Sequence, residues 1–204
     1  GYIGAHVVRL LRQRGDRVVV VDDLSSGKAS RVGDAKLVKL DVTLDEARSA
    51  LSTLMVDEDV TAVIHFSARK QVGESVERPA WYYQQNIGGM ANVLLAMEDA
   101  GVDQMIFSSS AAVYGTPKDP VVTEDMAGHP INPYGETKLI GEWLMADCER
   151  AWDLKWIGLR YFNVAGADPA MRHGQSTANA THLIKVAIQT ALGMRSHMEV
   201  FGTD

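Results

Sequence analysis

The stretch Gly4-Ala5-His6-Val7-Val8-Arg9-Leu10-Leu11-Arg12-Gln13-Arg14-Gly15, followed by Arg17-Val18-Val19-Val20-Val21-Asp22-Asp23, decides the fold. Its first part repeats apolar residues at helical spacing and stops at a glycine, the residue that most readily takes the left-handed turn closing a helix. Its second part is a short β-branched run closing on two acids, which reads as a buried strand. The same alternation runs outward. Lys36-Leu37-Val38-Lys39-Leu40 ends on Asp41, a helix is expected over about 44–54, and Thr61-Ala62-Val63-Ile64-His65-Phe66 is the next strand. A long helix over about 79–100 precedes the strand Gln104-Met105-Ile106-Phe107, which delivers Ser108, Ser109 and Ser110. A further helix reaches about residue 152, and a strand follows over 155–161. Buried strands separated by helices mean an α/β protein with a doubly wound parallel sheet covered on both faces. Beyond Asn163 the pattern changes to a loop containing Gly, Pro and Asp, a helix over about 182–192 and a short strand over 198–201, the start of a second, smaller unit. No internal repeat or low-complexity segment is visible.

At 204 residues and 46% hydrophobic, the chain can bury a sizeable core. The net charge of −6 and the absence of a basic stripe argue against a nucleic-acid partner. The one cysteine, Cys148, lies in a helical stretch, excludes an intrachain disulfide framework and reads as a small buried hydrophobe. No apolar run approaches the roughly 20 residues of a membrane span, and no signal peptide is visible. These features fit a cytoplasmic protein. His6, His65, His129, His173, His182 and His197 show no paired ligand spacing, so no metal site is expected.

In open parallel sheets, ligands sit at the carboxyl ends of the strands. Asp22, Asp41, Phe66 to Lys70 and the serine run all fall at such ends. Gly1 and Gly4 stand at a helix start, where free backbone N–H groups and the positive dipole end suit a pyrophosphate. Asp22 follows Gly4 by 18 residues, where an acid would accept hydrogen bonds from an adenosine ribose. A carboxylate there repels a 2′-phosphate, which favours NAD over NADP. Asp22 and Asp41 would also serve as turn residues ending their strands.

Ser110 lies 24 residues before Tyr134, and Lys138 follows Tyr134 by four, on the same helix face. Such a match on a helix is most often a half-buried aromatic beside a solvated lysine; the Ser110 and strand-end context favours chemistry. A free tyrosine titrates near pKa ~10, too high for a base at neutral pH. A fixed ammonium, helped by an oxidised nicotinamide, is expected to bring it down, making Tyr134 a general base.

With Ser110, Tyr134 and Lys138 beside the Gly-rich start, the chain resembles the extended short-chain dehydrogenase/reductase family. Three stretches are similar to its UDP-glucose 4-epimerases: Ile64-His65-Phe66-Ser67-Ala68-Arg69-Lys70-Gln71-Val72-Gly73-Glu74-Ser75, Phe107-Ser108-Ser109-Ser110-Ala111-Ala112-Val113-Tyr114-Gly115, and Leu159-Arg160-Tyr161-Phe162-Asn163-Val164-Ala165-Gly166. The resemblance implies a Rossmann-like NAD-binding domain over 1–165 and the beginning of a substrate domain over 166–204. By position it puts Gly1, Tyr2, Ile3 and Gly4 at the phosphates, and Asp22, Asp23, Leu24, Ser25, Ser26 and Gly27 at the adenosine ribose. Asp41 and Val42 would flank the adenine. Phe66, Ser67, Ala68, Arg69, Lys70, Asn86 and Phe162 would line the cofactor with Tyr134 and Lys138, although Phe66 and Phe162 also suit a core and Asn86 a helix surface. Asn163, His182 and Leu183 would contact the nucleotide sugar, with Ser110 and Tyr134.

The activity implied is interconversion of UDP-glucose and UDP-galactose, with a UDP-hexose as the small-molecule partner and a homodimer as the assembly. Met90, Leu94 and Met97, at helical spacing, suit an exposed dimer face or plain core. Other UDP-sugar epimerases fit nearly as well. A 4,6-dehydratase would need an acid beside the catalytic serine, where Ala111 and Ala112 stand. An NAD-binding regulatory module is the reading from another class, and such modules usually lose the tyrosine or the lysine. The first strand and first motif glycine of the resembled family are absent, so the sheet is expected to have two unpaired strand edges. Residues 1–204 alone are expected to be poorly stable and inactive.

Overall fold

The computed structural model describes residues 1–119, 121–176 and 182–200. Among the described residues every strand pairing is parallel. β1 (Val19–Asp22) pairs with β2 (Lys36–Lys39), and β3 (Val63–His65), β4 (Gln104–Phe107) and β5 (Lys155–Gly158) form a second sheet in that order. Among the described residues β1 and β3 each have one strand partner. The sheet expected to carry two unpaired edges is therefore in two pieces. The register sets Met105 beside Val63 and Trp156, and Phe107 beside His65 and Gly158.

The chain forms two compact units: residues 1–18, 25–35 and 163–204, and residues 19–24 with 36–162. In the first, α1 (Tyr2–Arg14) ends at Gly15, whose φ of 97° and amide bonds to Leu11 and Arg12 carbonyls make a left-handed cap. α7 (Leu183–Ala191) belongs to the same unit. The buried Asp168 accepts both guanidinium donors of Arg172, at 2.5 and 3.0 Å, and lies 3.6 Å from Arg9. This pairing with Arg172 holds its carboxyl well below the usual range.

The second unit holds both sheets and the main core. α2 (Ala47–Asp57) and α5 (Gly89–Ala100) pack their apolar stripes together with β4: Leu51, Met55, Met90, Val93, Leu94, Met97, Met105 and Phe107 form one cluster, joined by Met145 and Leu154. Met90, Leu94 and Met97 are 1%, 3% and 0% exposed, so they are core and not a dimer face. A short helix, α3 (Val72–Glu77), follows β3.

The helix expected over 79–100 is α4 (Pro79–Tyr83), a π-helical turn (Gln84–Gly88) and α5. A π turn is hard to read from composition because no residue type marks it, and such turns favour functional sites. α6 (Pro133–Trp152) agrees with expectation, its Asn132 side chain capping the Gly135 amide at 2.9 Å. The strand expected over 155–161 stops at Gly158, and Met198 to Val200 lie in no strand; Phe201 falls outside the described residues.

Candidate active site

The site begins where β4 ends. The Ser108 amide donates to the His65 carbonyl at 3.1 Å, continuing the sheet by one residue, and the Ala111 amide donates to the Tyr161 carbonyl at 3.1 Å. The serine run is thus held from both neighbouring chain segments. Ser110 then leaves the sheet as the cap of a 3₁₀ turn (Ala111–Tyr114), its hydroxyl accepting from the Ala112 amide at 3.2 Å.

Against this run lies α6, and glycines let it come close. A Cβ on Gly135 would meet the Ala112 carbonyl oxygen at 2.7 Å, and one on Gly141 would meet the Phe107 ring at 2.6 Å. Tyr134 sits in the first turn of α6, where the Asn132 cap fixes the backbone. Lys138 is 4% exposed, donates to the Ser108 carbonyl at 2.8 Å, and stands 5.9 Å from the centre of the Tyr134 ring. The structure therefore brings Ser110, Tyr134 and Lys138 together.

Their electrostatics differ from expectation in one respect. Burial pushes the Tyr134 phenol above its ordinary value; the hydrogen bond with Ser110 opposes this, while Tyr161 adds to it. The lysine ammonium is spent on a carbonyl and is itself held down to about 8 by burial. In this structure the phenol is accordingly not lowered. Beside them, His65 on β3 is buried and stacked on Phe107, with ring centroids 6.2 Å apart; burial and the Lys138 charge depress it to about 3, so it is neutral.

Other expected residues fall into separate places. Asn86, in the π turn, is 5% exposed: its amide accepts from the Arg69 N–H at 2.8 Å and donates to the Arg69 carbonyl and the Thr137 hydroxyl, each at 3.0 Å. It is not a helix-surface residue. It clamps the segment 66–70 to α6. Arg69 also reaches Gln85 at 3.0 Å and Asp23 at 3.5 Å. Phe66 and Ala68 are half-buried, Ser67 and Lys70 exposed. Phe162 is 71% exposed and therefore not core.

Asp22, ending β1, accepts from the Leu24 amide at 2.8 Å and holds Leu24 at φ 59°, a conformation uncommon for a side-chain-bearing residue. Asp41 takes the Thr43 amide and hydroxyl at 2.9 and 2.8 Å, so both acids shape their turns. Val42 packs on the main core. In the first unit, Gly1 is the cap of α1, no side chain caps that helix start, and Tyr2 donates to the Gly166 carbonyl at 2.5 Å. Ile3 and Gly4 lie in its first turn, since α1 starts two residues before the Gly4 expected from the sequence. Ser25 and Ser26 are exposed and Gly27 half-buried. Asn163 is exposed, His182 contacts the Gln175 amide at 3.0 Å, and Leu183 is 66% exposed at the start of α7.

A sequence profile described as the NAD dependent epimerase/dehydratase family matches residues 1–203. The chain belongs to that family. It is 46% identical to the UDP-glucose 4-epimerase of Azospirillum brasilense over all of this chain and 58% of that protein. Among solved structures, that of UDP-glucose 4-epimerase from Brucella ovis in complex with NAD superposes with a TM-score of 0.94 at 42% identity, over 99% of this chain and 61% of the other. The enzyme from Bifidobacterium longum in complex with NAD+ and UDP gives 0.87 at 31%, over 95% and 60%. The chain thus spans about three fifths of the length of these relatives. Family membership carries the Rossmann-like parallel α/β fold.

Sequence reasoning missed several polar residues of the site. Glu142 sits on the face of α6 turned to the serine run, Thr137 meets Asn86 of the π turn, and Arg160 and Tyr161 lie just past β5. Glu142 was legible in principle, since it continues the spacing of Tyr134 and Lys138 by four.

Proposed function

We propose that the protein interconverts UDP-glucose and UDP-galactose by NAD-dependent oxidation at C4, rotation of the 4-keto sugar and return of hydride to its opposite face. The observation that carries this reading is the convergence of Tyr134, Lys138 and Ser110 at the end of β4, with Lys138 buried and bonded to the Ser108 carbonyl.

The residues present fit NAD. In the first unit, the first turn of α1 with Gly1, Tyr2, Ile3 and Gly4 suits phosphates, and Ser25, Ser26 and Gly27 suit a ribose. In the second, Asp22, Asp23 and Leu24 suit a ribose, Asp41 and Val42 the adenine, and Phe66, Ser67, Ala68, Arg69, Lys70, Asn86 and Phe162 the remainder with Tyr134 and Lys138. When bound, NAD supplies a hydride acceptor and donor and a positive ring.

The chain's own residues handle the proton. Tyr134 takes it from the sugar 4-hydroxyl, and Ser110 hydrogen-bonds the same oxygen, stabilising charge as it develops. Lys138, with its ammonium near pKa 8, lends positive charge beside the phenol and suits a ribose hydroxyl of the cofactor. Asn163, His182 and Leu183 are assigned to the nucleotide sugar. Residues 1–165 are assigned to the NAD-binding domain and 166–204 to the beginning of the substrate domain. A homodimer and a cytoplasmic setting complete the proposal; no described helix is long and apolar enough to cross a membrane.

The test is an epimerisation assay on the full-length protein with UDP-galactose, coupled to detection of UDP-glucose. Turnover without added reductant supports the reading, and NAD binding without turnover of any UDP-hexose overturns it.

A further inference from the structure

Tyr134, Lys138 and Glu142 follow one another at intervals of four on one face of α6, and each engages one serine of the run at the end of β4. Tyr134 meets the Ser110 hydroxyl, Lys138 the Ser108 carbonyl, and Glu142 the Ser109 hydroxyl. Ser109 is 1% exposed and Glu142 7%. Glu142 is also gripped by Arg160, whose Nε lies 2.9 and 3.1 Å from its two oxygens and whose Nη2 lies at 2.6 Å. Arg160 in turn donates to the Glu124 carbonyl at 3.1 Å and lies 5.0 Å over the Tyr114 ring. One buried carboxylate thus ties α6, the serine run, the segment past β5 and the loop before α6.

A buried ion pair is poor evidence for stability, because desolvating both charges offsets most of their attraction. Its rigidity is what it offers. Planar bidentate geometry fixes both partners in position and angle.

We propose that Glu142, held by Arg160, is a positioning residue that sets the distance between the Tyr134 phenol and the Ser110 hydroxyl by fixing Ser109 against α6. Glu142 touches no reacting atom in this assignment; it acts through Ser109 and its own helix. The inference rests on the epimerase reading of Tyr134. Positioning errors on the order of 1 Å cost about 100-fold in rate. Loosening this clamp therefore lowers kcat while leaving UDP-hexose affinity nearly intact. It also weakens the Ser110 hydrogen bond that opposes burial of the Tyr134 phenol, so the acidic limb of the kcat profile moves to higher pH.

The experiment compares wild type, Glu142→Gln, Glu142→Asp and Ser109→Ala in the full-length protein, with kcat, KM, pH profile and thermal unfolding measured for each. Glu142→Asp keeps the charge beside Arg160 and shortens the reach. Ser109→Ala removes one small hydroxyl and keeps the fold available if Glu142→Gln unfolds. Expected for each folded variant are a kcat fall of about 10- to 100-fold, a KM within about threefold of wild type, and the displaced pH limb. Wild-type kcat and pH profile in Ser109→Ala, or their full restoration in Glu142→Asp, would overturn the proposal and leave Glu142 as a counter-charge. An inactive wild type would instead remove the epimerase reading itself, which separates the two failures.

Discussion

The buried ammonium of Lys138 donates to the carbonyl of Ser108 at 2.8 Å, on the residue next but one to Ser110. Lys138 is therefore as much a tie between α6 and β4 as a charge beside Tyr134. Because burial lowers its pKa to about 8 from 10.5, the unfolded chain holds more protons than the folded one between those values. Its contribution to stability rises with pH across that window and is least favourable below it. Urea midpoints measured from pH 7 to 10 should rise more steeply in wild type than in Lys138→Met, which lacks the titrating group. Parallel curves would show that the ammonium is not buried.

His65 predicts the opposite end of the scale. Held neutral to about pH 3, against 6.5 when unfolded, it makes the unfolded state the better proton acceptor over that interval. Stability falls as pH drops from 6.5 toward 3. Replacing it as His65→Gln should flatten that part of the urea-midpoint curve. If the acid limb were unchanged, carboxylates alone would account for it.

Gly141 and Gly135 set how closely α6 approaches. Gly141→Ala places a methyl 2.6 Å from the Phe107 ring, and such overpacking typically costs about 1–3 kcal/mol. Gly135→Ala faces a backbone oxygen at 2.7 Å, which yields less readily, and it adjoins Tyr134. Denaturant titration should show both variants destabilised. The larger loss of kcat per unit of stability belongs to Gly135→Ala, and an equal loss would argue that α6 shifts as a rigid rod.

Asn86→Ala removes a partner from each of the Arg69 amide, the Arg69 carbonyl and the Thr137 hydroxyl. Leaving buried polar groups unpaired costs about 1–3 kcal/mol. A titration of NAD should also show weaker binding, because the segment 66–70 loses its clamp. Unchanged NAD affinity in a folded variant would detach that segment from the cofactor.

Much of the fold was legible because its elements obey strong patterning: the valine run at 19–22, the apolar run at 104–107 and the capped helix Pro133–Trp152 fall within two residues of expectation. What was not legible depends on tertiary contacts. No residue type marks the π turn around Asn86, and the burial of that residue depends on its partners Arg69 and Thr137, which lie far off in sequence. Met90, Leu94 and Met97 suit a core or a surface equally by spacing, and α2 packing against them decides it. The spacing of Tyr134 and Lys138 sets both on one face of a helix, and in the structure Lys138 on that face meets the serine run. It did not show that Lys138 would bond the Ser108 carbonyl, nor that burial would outweigh it at the phenol.

The central claim is that Tyr134 is the base. The most direct measurement is the epimerisation rate of full-length Tyr134→Phe, with NAD affinity determined on the same preparation. Loss of a positioned general base predicts a kcat lower by about 10²- to 10⁴-fold with NAD still bound. A kcat near wild type would contradict the account and move the proton transfer to another residue.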